Sequence, residues 1–236
     1  MNGKRLALTL GSITLLASTG LAIPTSGESS GKYYLVAAED LTHWHGGVYG
    51  RGHEREMKDD LKLDVNRVAA FLGYDVLRWA TLYGLVGYSE MKLDNDFSWD
   101  DGDGAIEWGV GGWFNLIDHD AADFRDLCDR FRIQAAIQYS VIDNDHTEYG
   151  ELSGYLTFGI VNEIEGSKAF WPDNIAAYVG PCVNLVHCDD YDQDSDDALG
   201  LVVGVDVQVS RRVSFGGSIE IYQDDTAYCG TASVRF

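Results

Sequence analysis

The chain has 236 residues, 45% of them hydrophobic and 12% aromatic, with 27 Gly and only 3 Pro, which excludes a disordered polymer and fits one large domain or two small ones. Seventeen Lys and Arg stand against 38 Asp and Glu, a formal charge of -21 that repels a phosphate backbone and excludes nucleic acid as a first partner.

Lys4 and Arg5 precede an apolar run from Leu6 to Ala22 that contains five Ser or Thr and ends in Gly20-Leu21-Ala22, with Pro24 close behind. A charged start, a short apolar stretch and small residues before the break read as a secretory signal peptide over 1–22. The run is too short and too polar for a membrane-spanning helix. Cleavage after Ala22 leaves a chain from Ile23 with 15 basic and 38 acidic residues, outside the reducing cytoplasm. Residues 23–43 form a short leader before the first strand.

From residue 44 onward, apolar and polar side chains alternate with a period of two, as in strands with one dry face. In the clearest case Phe131, Ile133, Ala135, Ile137, Tyr139 and Val141 share one face, and Arg132, Gln134, Gln138 and Ser140 the other. The pattern predicts ten strands, at about 44–55, 64–76, 80–93, 105–117, 130–142, 148–162, 174–187, 198–209, 212–222 and 226–236, with eight or twelve as alternatives. That is about 60% strand, far above the share in ordinary soluble domains. A closed antiparallel barrel in lipid expects such an excess, because every backbone polar group must pair within the hydrocarbon. A soluble barrel would turn the same dry face inward.

With strands running alternately up and down, dry-face Tyr74, Phe114, Phe131, Phe158, Phe215 and Phe236 fall near one rim, and Tyr88, Trp108, Tyr139 and Tyr228 near the other. Two aromatic bands flanking aliphatic residues are what the two bilayer interfaces select. The chain ends Thr231-Ala232-Ser233-Val234-Arg235-Phe236, alternating onto a terminal Phe. In this ending the sequence resembles the small bacterial outer-membrane β-barrels, a resemblance of pattern class that spans the signal peptide and all ten strands. It implies a closed antiparallel transmembrane β-barrel over 44–236, in the bacterial outer membrane, with both termini and the leader in the periplasm. It also implies outer-membrane lipids as surroundings and the β-barrel assembly machinery as a partner that reads Tyr228, Val234 and Phe236.

By parity the lumen face is expected to hold Arg51, Arg67, Asp75, Glu90, Glu107, Arg132, Glu151, Asp206, Glu220 and Arg235. Charges there are tolerated when paired, which makes a polar plug. Ten strands lie near the closed end of the size range, and an open lumen with six acids against four Arg would be a narrow cation-preferring channel. The 94–104 and 188–197 connections, on the outer side, contain five and six Asp and no Lys or Arg. Such carboxylates suit weakly bound Ca or Mg, with Asp96, Asp100, Asp190 and Asp194 as candidates, although Asp101 stands where a calcium loop needs Gly. No resident cofactor is expected. The inner connections 118–129 and 163–173 are longer than the short turns such barrels favour.

His43 and His45 are two apart, as a metal pair on one strand face would be, and His187-Cys188 beside Asp189 and Asp190 is a second cluster. His53, His146 and His187 are candidate bases for a lipid-modifying hydrolase or acyltransferase, but no linear motif joins them to a nucleophile, so no enzyme is expected. Of the cysteines, Cys182 could pair with Cys188, or Cys188 with Cys229, leaving Cys128 free. The sequence thus favours a structural or surface-interaction barrel presenting acidic extracellular loops. Its alternatives are the cation channel, the lipid-modifying enzyme and a soluble lipocalin-like binder.

Overall fold

The computed structural model describes residues 43–57, 61–77, 79–94, 104–120, 130–144, 147–163, 174–188, 199–210, 212–223 and 225–236. The segment expected to be a signal peptide, the expected leader up to residue 42, Cys128, His146 and the candidate cation ligands Asp96, Asp100, Asp190 and Asp194 lie outside the described residues.

Ten strands follow one another: β1 Trp44–Met57, β2 Leu61–Leu77, β3 Ala80–Asp94, β4 Ala105–Asp120, β5 Arg130–Asn144, β6 Thr147–Glu163, β7 Asn174–Cys188, β8 Leu199–Gln208, β9 Val213–Ile221 and β10 Thr226–Arg235. Each pairs antiparallel with the next, and β1 pairs with β10 from His45↔Arg235 to Glu54↔Thr226, so the sheet closes without an edge. The two-residue period places every strand end to within three residues. β1 to β7 are 14 to 17 residues long, longer than the roughly 9–11 that cross a bilayer. β8 to β10, at 9 or 10, just span it.

The barrel is inverted relative to a soluble one. Val48, Val68, Val86, Val110, Ile137, Leu185, Val205 and Ile219 are exposed on its outer wall, while Arg, Glu, Gln and Ser side chains are buried inside. An apolar wall continuous over all ten strands is stable only against hydrocarbon, so this is a transmembrane β-barrel. Exposed rings mark both margins. Tyr74, Phe131, Phe158, Phe215 and Phe236 occupy the rim that carries the chain end, and Tyr88, Trp108, Tyr139 and Tyr228 the opposite rim. The terminal rim also holds Trp44, whose ring lies 4.9 Å from Tyr74, and Trp79, 6.3 Å from Phe114.

Two register shifts break the period, both at the terminal rim. One lies between Asp75 and Leu77 in β2, where Val76 and Leu77 are consecutively exposed. The other lies between Asn115 and Ile117 in β4, where Leu116 and Ile117 are both exposed and Asp118 turns toward the lumen. A bulge adds one residue to one strand, so everything beyond it changes face.

Candidate functional site in the barrel lumen

Inward-facing rings are accommodated by inward-facing glycines directly across the ladder. Tyr83 lies over Gly111 and Tyr178 over Gly204, so close that a Cβ added at either glycine would stand 2.3 Å or less from the ring. Removing one side chain from each pair lets a wide ring lie flat on the wall.

At the terminal-rim end, Phe71, Tyr83, Trp113 and His45 form an aromatic layer, with Tyr83 and Trp113 stacked at 4.5 Å and His45 5.2 Å from Trp113. Beside it Asp75 accepts hydrogen bonds from Arg235 at 2.6 Å and from Thr81 at 2.7 Å. Asp118 accepts from Arg130 at 2.9 Å and from Arg132 at 3.3 Å. Asn174 donates to Gln208 at 2.8 Å.

The middle of the lumen is ionic. Arg51 donates to Glu151 and, at 2.8 Å, to Glu220; Arg67 donates to Glu151 and, at 3.1 Å, to Glu107. Glu151 thus lies between both guanidiniums. Neutral donors occupy the remaining lone pairs. Tyr49 at 3.1 Å and Ser89 at 2.9 Å donate to Glu107. Ser153 at 2.9 Å and Asn184 at 2.6 Å donate to Glu151. Tyr155 at 2.8 Å, Tyr222 at 2.9 Å and the Cys229 thiol at 3.1 Å donate to Glu220. Gln138 ties this layer to the aromatic one, accepting from Tyr83 at 2.9 Å and donating to Tyr49 at 3.3 Å. Above it Val65, Ala105, Ile142, Tyr149 and Val186 close an apolar cluster, with Met91 against it.

Burial decides what this arrangement can do. Arg51 and Arg67 are 3% exposed, Glu151 2%, and Glu107 and Glu220 0%. Side chains lining a water-filled pore would be wetted, whereas these five are buried against one another and their hydrogen-bond partners, among them Ser140, which accepts from Arg67 at 3.3 Å. Buried charge at this density is stable only with its pairing complete, so the layer behaves as one cooperative unit.

Of the ten residues expected on the lumen face, Arg51, Arg67, Asp75, Glu107, Arg132, Glu151, Asp206, Glu220 and Arg235 are buried within it. Glu90 is a correction. It faces outward and is exposed, because β3 runs unbroken past Tyr88 and residue 90 shares that residue's side. Asp118 was assigned to a connection, but the β4 bulge turns it inward. Tyr49, Gln138, Tyr155, Asn184 and Tyr222 also belong to the network; inward parity was the available signal, but neutral polar and aromatic residues do not announce a lumen by charge.

Cys182 and Cys229 are free thiols buried in the lumen, so neither the Cys182–Cys188 nor the Cys188–Cys229 disulfide forms. His45 is buried, whereas His43 precedes β1, is exposed and lies tilted against Tyr74 with ring centroids 5.8 Å apart, so the two imidazoles do not converge. His53 is buried inside and His187 is exposed on the wall. Among the described residues no group of three or more His, Cys, Asp or Glu could hold a metal ion.

No protein-family model matches the chain, and no curated protein matches it. Among solved structures it is similar to an outer membrane channel from Pseudomonas putida F1, at 9% identity and a TM-score of 0.43, over 83% of this chain and 96% of that one. It is also similar to OmpF of Salmonella typhi, at 10% identity and a TM-score of 0.20, over 82% of this chain and 97% of that one. An engineered variant of the Rh. blastica porin follows at 9% identity and a TM-score of 0.17, over 82% of this chain and 100% of that one. At such TM-scores the barrel assignment rests on the chain's own strand pairing and exposed apolar wall.

Proposed function

We propose that the protein is a bacterial outer-membrane β-barrel with a structural or surface-interaction role, closed by its lumen network and presenting acidic loops outside. The observation that carries this reading is the burial of the five central charged side chains, paired across the lumen at 3% exposure or less. Exposed Tyr228 and Val234 on β10, with Phe236 just after it, support recognition of that strand by the assembly machinery, and the two aromatic bands support outer-membrane lipid as the surroundings. Cleavage near Ala22 and periplasmic termini belong to the same reading. His53 and His187 stand on opposite sides of the wall, and no catalytic role is proposed for them.

Planar-bilayer recording tests the closed lumen. The purified chain is expected to give no stepwise conductance. A narrow cation-preferring channel is the rival reading, favoured by three central carboxylates against two guanidiniums. Regular steps with cation selectivity would establish that rival and reject the plug.

A further inference from the structure

The outer wall carries a depression that the strand pattern explains. Outward-facing Gly84 lies across from Val110, and outward-facing Gly112 lies between Leu82 and Ile137 on the neighbouring strands. The missing side chain at exposed Gly84, beside Gly112 over which Leu82 and Phe114 lie flat, leaves a groove of about 600 Å³ slanting over β1 to β6. It opens at Trp44 on the terminal rim and reaches Tyr139 in the opposite aromatic band.

We propose that this groove seats one acyl chain of a glycerophospholipid from the leaflet at the terminal rim. The inference rests on the membrane reading above. The groove is continuous with the exposed apolar wall and lies between the two interfacial bands, so hydrocarbon is the phase that meets it. Water there would lack the two to four polar partners that hold an ordered water. From Trp44 on β1 to Leu152 on β6 are five strand spacings of about 4.8 Å, roughly 24 Å, on the order of one extended acyl chain. The Trp44 indole and Tyr74 phenol at the mouth are amphipathic rings at headgroup depth, where the glycerol backbone of such a lipid would lie. A second copy fits poorly: a two-fold pair would set groove against groove, leaving a void where close packing is required. A flexible chain fills the concavity and gains dispersion contacts along it that a flat wall does not offer.

The test fills the seat without disturbing the lumen. A Cβ added at Gly84 meets nothing closer than 3.9 Å, and one at Gly217, outward on β9 and far from the groove, nothing closer than 3.7 Å. The wild-type chain, Gly84→Ile and the control Gly217→Ile are reconstituted into phosphatidylethanolamine–phosphatidylglycerol vesicles. They are then re-extracted in mild detergent and weighed by native mass spectrometry, with heat-shifted gel migration confirming each fold. Wild type and Gly217→Ile are expected to retain one phospholipid, and Gly84→Ile about tenfold less, the effect of displacing two methylenes. Gly84→Val takes the place of Gly84→Ile if that variant shows no heat shift. Equal retention by the two glycine variants, a folded wild type that retains no phospholipid, or a lipid-free dimer lost in Gly84→Ile would each overturn the seat. Recovery of the wild-type chain without detergent would instead overturn the membrane reading itself.

Discussion

Glu151 accepts from two guanidiniums at once, so its loss leaves both Arg51 and Arg67 short of a counter-charge in a buried layer. Glu151→Ala is therefore expected to destabilise the folded barrel by about 3–5 kcal/mol. Glu90→Ala, on the exposed wall, should stay within about 0.5 kcal/mol. Urea unfolding in lipid vesicles, followed by gel mobility, measures both. Gly111→Ala should cost about 1–3 kcal/mol in the same assay, because the new methyl group would meet the Tyr83 ring 2.3 Å away. The glycine variant tests packing where the glutamate variant tests pairing. Parity alone made Arg51, Arg67, Glu107, Glu151 and Glu220 readable as lumen residues. Their partners were not readable, since contacts across a tilted barrel join residues as far apart in sequence as Arg51 and Glu220. Glu90 misled for a different reason: at headgroup depth an outward carboxylate is tolerated, so charge no longer marks the inner face.

At the scale of the strand, the outer wall gives the sharpest expectation. Val205 on β8 is exposed among aliphatic neighbours, and Val205→Arg should lower stability in bilayers by about 2–4 kcal/mol. Glu90→Arg, near the rim, should cost about 1 kcal/mol or less, and vesicle unfolding separates the two. Equal costs at the two depths would count against a lipid-facing wall. Strand number and register were legible because one dry face forces every second residue to agree, and a one-residue slip would invert them all. The bulges at Asn115/Ile117 and Asp75/Leu77 were not, since an inserted residue leaves the composition of the strand unchanged. The price of missing the first was the assignment of Asp118, the partner of Arg130 and Arg132, to a connection. β10 carries a separate expectation. Deleting Phe236 should lower outer-membrane recovery in cells while refolding into vesicles remains near wild type, because the ring is exposed on the outer wall and makes no part of the lumen network. Equal losses in both assays would argue for a structural role and against an assembly signal.

The molecule as a whole inverts the soluble plan, with an apolar wall outside and a buried ionic network within, and both halves are needed. Without the network, ten strands would enclose unpaired polar groups or a narrow channel. Without the wall, closure would bring no gain in lipid. The architecture was legible from alternation, aromatic spacing and the closing strand, whereas the inward packing of Tyr83 and Tyr178 was not, because it depends on the glycines they face across the ladder, Gly111 and Gly204. The most direct measurement of the central claim is membrane fractionation followed by gel migration of the detergent-extracted protein, unheated and heated. Recovery with the outer membrane and a heat-dependent shift in mobility are the expected results. A detergent-free soluble product with the same mobility before and after heating would contradict the inverted barrel.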